Sequence, residues 1–311
     1  MSHFTVIICT YNRAHLLSRA IQSVLAQTEP DFELLIVDDH SEDETAQVVS
    51  SYEDKRIRYL KREQNGGSSA TRNEGIRAAR GRFIAFLDDD DEYLPDYLAE
   101  ARQAFAQAPA EVGAIFCKTI LVEDDPQSER IIGERVPTPP PHKDRSEASL
   151  YLLRRQTLSS GWGLTVRADC FATVGLFDEN LEAAVDWDIF IRMARHVDFH
   201  VIPRALVKQH KHAGPQLTDP TPRRYRARAR ILQKNLEAFR HDPVVYAELC
   251  SMLSLLHYRA GDKAEARKVL SSVLRRSPAN WRSWRRLLLG ELLGALPAAF
   301  QVKAWRAASK L

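Results

Sequence analysis

The sequence predicts an α/β protein, a mainly parallel sheet flanked by helices, followed by an all-α extension. Three observations predict it. Over the first 120 residues, short β-rich apolar runs alternate with stretches of helical period, as strands and crossover helices do. Phe83-Ile-Ala-Phe-Leu87 is continuously apolar, as expected for a strand buried on both faces. Beyond Pro222 the strand-like runs stop and helical spacing takes over.

The elements follow in order. Phe4–Cys9 reads as the first strand. Arg13–Gln27 places Leu16, Leu17, Ala20, Ile21, Val24 and Leu25 on one helical face. Phe32–Val37 is the next strand, and Ser41 opens a helix because Ser41-x-x-Glu44 fits a capping box. Arg56–Leu60 reads as a strand and Ser68–Arg80 as a helix after Gly66-Gly67. Pro95 suits the first turn of another helix, and Val112–Val122 is a strand. Glu123 to Glu147, with Pro137, Pro139, Pro140 and Pro141, reads as a surface loop or lid. Tyr151 to Thr218 mixes short strands and helices. In the extension Gly261 stops one helix and Asp262-x-x-Glu265 caps the next. These breaks predict a domain over 1–222, with halves 1–122 and 123–222, and an extension over 223–311.

Composition excludes several classes. Of 311 residues, 44% are apolar and 27% charged, which excludes disordered, collagen-like and disulfide-scaffold chains. No run of eighteen apolar residues exists to span a bilayer, and no secretory leader is legible, so a cytoplasmic protein is expected. The 4 cysteines are scattered without a C-x-x-C pair, so free thiols are expected. Charge is divided unevenly: residues 223–311 carry 19 Lys+Arg against 6 Asp+Glu, a net +13, whereas 1–222 is net −10. The acidic part could hold a cation and the basic part face an anionic surface.

The chemistry concentrates where strands end. Asp88, Asp89, Asp90 and Asp91 directly follow the buried run. Ligands of open α/β sheets bind outside the carboxyl ends of strands. Four adjacent anions repel one another unless a cation offsets them, and hard divalent ions take carboxylate oxygens together with substrate phosphates. The first strand ends in Cys9-Thr-Tyr-Asn-Arg13, where a hydroxyl and an aromatic face meet a helix start. The second ends in Val37-Asp-Asp-His-Ser41, which suits a hydrogen bond to a base or ribose and equally suits turn chemistry. Asn65 to Gly75 holds Gly66 and Gly67, but no G-x-G-x-x-G and no Gly-Lys-Ser/Thr; its Arg72 can pair with a phosphate.

In combination these stretches resemble family-2 glycosyltransferases of the GT-A fold. The resemblance rests on Val6-Ile-Ile-Cys-Thr-Tyr-Asn-Arg13, Val37-Asp-Asp-His-Ser41, Ala70-Thr-Arg-Asn-Glu-Gly75 and Phe86-Leu-Asp-Asp-Asp-Asp91, in the family's order and spacing. It continues through Gly175-Leu-Phe-Asp-Glu179, Asp186-Trp-Asp-Ile-Phe-Ile-Arg192 and Gln209-His-Lys-His-Ala-Gly214. The resemblance implies transfer of a sugar, with inversion, from a nucleoside-diphosphate donor of UDP type to a hydroxyl of a glycan or lipid-linked acceptor. It implies that Thr10, Tyr11, Asp39, Arg72, Asp88 and Asp89 hold the nucleotide sugar. It implies that Asp88, Asp90 and His212 hold Mn²⁺ or Mg²⁺. Asp186 would be the catalytic base, and Trp162 with Gly163 an acceptor-side wall. The chain departs from the family at Val185, where a Glu is common, and at Cys9, which replaces a frequent Pro.

The Val185 departure leaves an alternative: a non-catalytic binding module with a degraded acceptor site. A nucleotidyltransferase is disfavoured, since no Gly-rich, lysine-bearing loop follows the first strand. In the extension, Trp281, Trp284, Leu287, Leu288 and Leu292 recur at helical spacing with Arg282, Arg285 and Arg286 between them. That pattern fits peripheral contact at the inner membrane face, and also packing on the chain itself or in a homodimer. Aromatic stacking platforms are absent, so nucleic acid is not an expected partner.

Overall fold

The computed structural model describes residues 3–125, 128–140, 144–155, 158, 163–211 and 221–276. They form two compact units, Met1–Asn180 with Val185–Gly214, and Leu181–Ala184 with Pro215–Leu311.

The first unit opens with β1 (Phe4–Thr10), α1 (Ala14–Leu25), β2 (Phe32–Asp38), α2 (Thr45–Ser50), β3 (Ile57–Lys61), α3 (Gly67–Ala78) and β4 (Phe83–Asp88). There follow β5 (Glu92–Tyr93), α4 (Tyr97–Gln107), β6 (Val112–Asp125), β7 (Ser128–Arg135) and α5 (Arg145–Arg154). It closes with β8 (Leu164–Arg167), α6 (Cys170–Val174), α7 (Val185–Met193) and β9 (Asp198–Lys211). One nine-stranded sheet runs β3-β2-β1-β4-β8-β6-β9-β5, with β7 added beside β6. The strands from β3 to β4 are parallel neighbours. β8 runs antiparallel to both β4 and β6, and β9 returns parallel to β6. The predicted mainly parallel sheet flanked by helices is observed, its β3-to-β4 part wholly parallel and its antiparallel pairs gathered at β5, β7 and β8.

Every residue of β2 is buried, as its uniformly apolar centre requires of a strand covered on both faces. Leu17, Ala20, Ile21 and Val24 of α1 pack into the core with Val6, Ile8, Leu34, Ile36 and Leu87. Registration then decides where the chemistry lies. Thr10 pairs with Asp38, and Cys9 with Asp88, so β1, β2 and β4 end level with one another.

Three local expectations are corrected. The helix after β2 begins at Thr45 and not at Ser41. Ser41 is otherwise engaged: its Oγ accepts from the Asn12 N–H at 2.9 Å, and its own N–H donates to Asp38 Oδ1 at 2.7 Å. A tertiary contact replaced the local cap. The stretch read as a loop from Glu123 to Glu147 holds the end of β6, all of β7 and the start of α5. Pro137, Pro139 and Pro140 come after β7, so they terminate a strand pair that the charged residues had disguised. Pro95 lies outside the next helix, two residues before Tyr97.

In the second unit, α8 (Pro222–Leu236), α9 (Pro243–Ala260) and α10 (Lys263–Arg276) follow one another. Asp242 Oδ1 accepts from the Val244 and Val245 N–H groups at 2.9 and 3.0 Å, capping α9. Gly261 ends that helix at φ 87°, the left-handed conformation a C-terminal glycine supplies. Tyr258, Ala266 and Leu270 pack together, so Gly261 turns the chain back into a helical hairpin. No helix among the described residues is long and apolar enough to cross a membrane. The Trp and Arg residues from 281 onwards lie outside the described residues.

Candidate functional site

The site is built at the level ends of β1, β2 and β4. Two of the connecting loops are held by residues in the left-handed region, Asn12 at φ 51° and His40 at φ 70°. Short polar side chains such as Asn tolerate that conformation better than branched ones. The loops are stitched together. Asn12 Oδ1 accepts from the Glu42 N–H at 2.8 Å, and Asp43 Oδ2 accepts from the Ala14 N–H at 2.9 Å. The second bond satisfies one of the N–H groups that the start of α1 leaves open. Tyr11 stands at this rim with 47% of its surface exposed, an aromatic face held out to solvent.

Asp39 is buried and accepts from the Gly66 N–H at 2.9 Å, the Gly67 N–H at 2.7 Å and the Arg62 guanidinium. Gly67 has φ 79°, which a side chain would oppose, so the glycine lets the backbone N–H reach the carboxylate. A carboxylate offers about four acceptor directions. Asp39 therefore organises the α3 start and keeps acceptor capacity on Oδ2.

Arg72 projects from α3, pairs with Asp88 Oδ1 at 3.2 Å and lies over the Phe177 ring at 5.8 Å. Asn73, its neighbour, clamps the segment after α6. Its Nδ2 donates to Phe177 O at 2.9 Å and Glu179 Oε1 at 2.8 Å, and its Oδ1 accepts from the Phe177 N–H at 2.9 Å.

The four acids after β4 divide in two. Asp88, Asp90 and Asp91 bring one carboxylate oxygen each to within 4.8 Å of one another. Asp89 turns to Arg13, whose Nη1 also reaches Asp90, at 2.9 and 3.0 Å. Burial pushes the Asp88 carboxyl up to about 7, with Arg72 opposing and Asp90 and Asp89 adding to the rise. Burial raises Asp91 well above the usual carboxylate range, reinforced by Asp88 and Asp90. Burial also raises Asp89, against Arg13.

Asp91 Oδ1 accepts from the His210 N–H at 3.0 Å, whereas its buried Oδ2 has no hydrogen-bond partner among the described residues. An unpartnered buried carboxylate oxygen facing two further acids is costly alone and well suited to a hard cation. The residues present therefore fit a divalent ion. His210 itself gives Nε2 to Glu92 Oε1 at 3.0 Å, and Lys208 reaches the same oxygen at 2.9 Å. That His210 hydrogen bond, together with Lys208, holds the half-buried Glu92 down at about 2.

Further along the chain, α7 carries Asp186 and Asp188 in its first turn, both buried. Asp188 is structural: its Oδ2 accepts from Arg192 Nε at 2.9 Å, and Arg192 also reaches the carbonyls of Val174 and Leu176. Trp187 Nε1 donates to Leu152 O at 2.7 Å, fixing α7 against α5. Asp186 follows Ala184, which is held at φ 55°. Arg135 of β7 donates to Gln209 Oε1 at 2.8 Å, and the charges of Asp91 and Asp186 both act on it while burial lowers its pKa.

Thus β1, β2, β4 and α3 bring Thr10, Tyr11, Asp39, Arg72, Asp88, Asp89 and Asp90 to one end of the sheet. The charges of both Asp91 and Asp186 act on Arg135. His212 and Trp162 lie outside the described residues. Reading motifs alone assigned no role to Asp91, Arg13 or Arg135. The first two stood inside quoted motifs, but Arg135 lay in a stretch that carried no signal for a strand.

A sequence profile described as "Glycosyl transferase family 2" matches residues 5–174. An uncharacterized glycosyltransferase of Rickettsia prowazekii, RP339, is 31% identical over 210 residues, covering 68% of this chain and 64% of that protein. The chain thus spans less than two thirds of that relative. A second relative is the Escherichia coli enzyme WfgD, UDP-Glc:alpha-D-GlcNAc-diphosphoundecaprenol beta-1,3-glucosyltransferase. It is 43% identical over 94 residues, 30% of this chain and 37% of its own length. Among solved structures, Staphylococcus aureus TarS 1–349 in complex with UDP-GlcNAc superposes with a TM-score of 0.66 at 21% identity, covering 94% of this chain and 90% of that one. That likeness establishes the fold as GT-A.

Proposed function

The chain belongs to glycosyl transferase family 2, and from that premise we propose an inverting, metal-dependent transfer of a sugar from a nucleoside diphosphate, of UDP type, to a hydroxyl of a glycan or lipid-linked acceptor. The observation that carries the reading is the trio Asp88, Asp90 and Asp91 at the end of β4, with an oxygen on Asp91 that has no partner among the described residues. WfgD acts on a diphospholipid-linked acceptor by its name, which supports the acceptor class.

In this reading Tyr11 lies against the nucleobase, and Asp39 Oδ2 accepts a ring N–H. Thr10, Arg72 and Asp89 line the ribose and phosphate path. Asp88, Asp90 and Asp91 hold the divalent ion, Mn²⁺ or Mg²⁺, with His212 as a further ligand from the segment after β9. When bound, that ion supplies Lewis-acid stabilisation of the charge developing on the leaving diphosphate. Arg72 and Arg135 add cationic stabilisation from the protein itself. Asp186 takes the proton from the acceptor hydroxyl as its oxygen attacks the anomeric carbon. Asp188, committed to Arg192, is a positioning residue for α7. Val185 leaves the base in place and alters only what neighbours it.

The test is donor hydrolysis and transfer across a panel of UDP-, GDP- and dTDP-sugars with Mn²⁺, Mg²⁺ or EDTA. Turnover of one donor that requires a metal and is lost in Asp90→Ala is expected. Binding of no nucleotide under any of these conditions overturns the reading; binding with no turnover on any acceptor leaves the non-catalytic module.

A further inference from the structure

A cavity of about 690 Å³ opens away from these loops, lined by Phe32, Glu33, Lys55, Arg56, Arg58, Ala79 and Arg80. It stands at the amino ends of β2 and β3, where the carboxyl end of α3 arrives. The acids proposed to hold the metal are at the opposite, carboxyl ends of these parallel strands. Four of its seven lining residues are cations and one is an anion.

The anion is already spent. Glu33 Oε1 accepts from the Thr5 hydroxyl at 2.6 Å and the Arg80 N–H at 2.7 Å, and Oε2 accepts from Arg58 Nη1 at 2.6 Å. Two of the cations also have structural partners. Arg58 donates to Ala78 O at 3.0 Å, capping α3, and Arg56 pairs with Asp54 at 2.7 Å while its guanidinium lies over the Phe32 ring. The side chains of Lys55 and Arg80 are exposed and make no hydrogen bond or ion pair among the described residues. With Arg58 paired to Glu33 and Arg56 to Asp54, Lys55 and Arg80 leave two uncompensated positive charges at one concave surface, which a multivalent anion would neutralise. Arg56 and Arg58, fixed by their partners, present pre-oriented guanidinium edges; Lys55 and Arg80 supply uncommitted charge.

We propose that this cavity binds a phosphate-bearing anion, as a second site remote from the donor site. Its chemistry is that of a di- or polyphosphate group, whether free in solution or presented as the headgroup of an anionic lipid.

The experiment titrates the full chain in EDTA with inorganic pyrophosphate, and separately with vesicles of phosphatidic acid in phosphatidylcholine. Both are repeated with Lys55→Gln/Arg80→Gln, whose exposed, unpartnered side chains leave the fold intact. Loss of two charge-assisted contacts is expected to weaken binding by about tenfold or more. Amide shifts at Ala79 and Arg80 of the unaltered chain on adding pyrophosphate give a reading independent of the variant. Variant-sensitive pyrophosphate binding identifies a soluble phosphate ligand, and variant-sensitive vesicle binding alone identifies a headgroup. Binding of both probes unchanged in the variant, or no binding of either, overturns the proposal.

Discussion

Asp186 is a buried carboxylate at the start of a helix pinned by Trp187 and Asp188, so it can be replaced by an isostere without loosening α7. Asp186→Asn is expected to lower kcat by about 10²–10⁴, the usual worth of a general base, while donor affinity holds. Parallel loss of donor binding in a calorimetric titration would contradict the assigned role. Arg135 is the cation on which Asp91 and Asp186 both act. Arg135→Met keeps an unbranched apolar stem and removes the charge. We expect kcat/KM to fall by about tenfold, the cost of one charge-assisted contact, with an unchanged circular dichroism spectrum. An unchanged kcat/KM would show that Arg135 serves only its Gln209 contact.

Among the elements, α3 does the most to shape the site. It carries Arg72 toward Asp88 on one side and clamps the 177–179 segment through Asn73 on the other. Asn73→Ala strands the Phe177 N–H in a buried place, and equilibrium urea unfolding should show a loss of about 1–3 kcal/mol. A loss within error of zero would mean that the segment repacks freely. Most elements were legible because their apolar period was long: β1, α1, β2 and β4 each lie within two residues of the sequence reading at both ends. Ser41 and the β6–β7 pair were not. A capping box is a local pattern, and Ser41 was claimed by Asn12 on another loop. Ile131 and Ile132 of β7 stay largely exposed, so that strand buries too little to leave an alternating signature.

For the whole first unit, the acid cluster links stability to pH and, in the proposed reading, to metal. Asp88 and Asp91 have folded-state pKa values raised above their ordinary ones, Asp88 to about 7. Raised carboxylates favour the folded state at low pH and lose that contribution as pH rises through the folded value. The Tm of metal-free protein should therefore fall between about pH 4 and 7 on their account. In the proposed reading Mn²⁺ competes with protons for the same oxygens, so its stabilisation should be small at pH 5 and large at pH 8. At a hundredfold excess over Kd that stabilisation is about 2.7 kcal/mol, or several degrees in Tm. Differential scanning fluorimetry with and without Mn²⁺ checks the sign. Equal metal shifts at both pH values would dissociate the cluster from metal binding.

By itself the sequence determined the alternation of strands and helices, the strands that had to be buried, and the acidic run beside β4. These are short-range properties, written in hydrophobic period and in the adjacency of like charges. Only the tertiary structure decided which acids face one another. Strand register levels Thr10, Asp38 and Asp88, Arg13 draws Asp89 aside, and His210, 119 residues away, takes one oxygen of Asp91 while the other has no partner among the described residues. It alone gathered Lys55, Arg56, Arg58 and Arg80 around one cavity. Such sites depend on contacts between distant segments, and no periodicity within a segment encodes them.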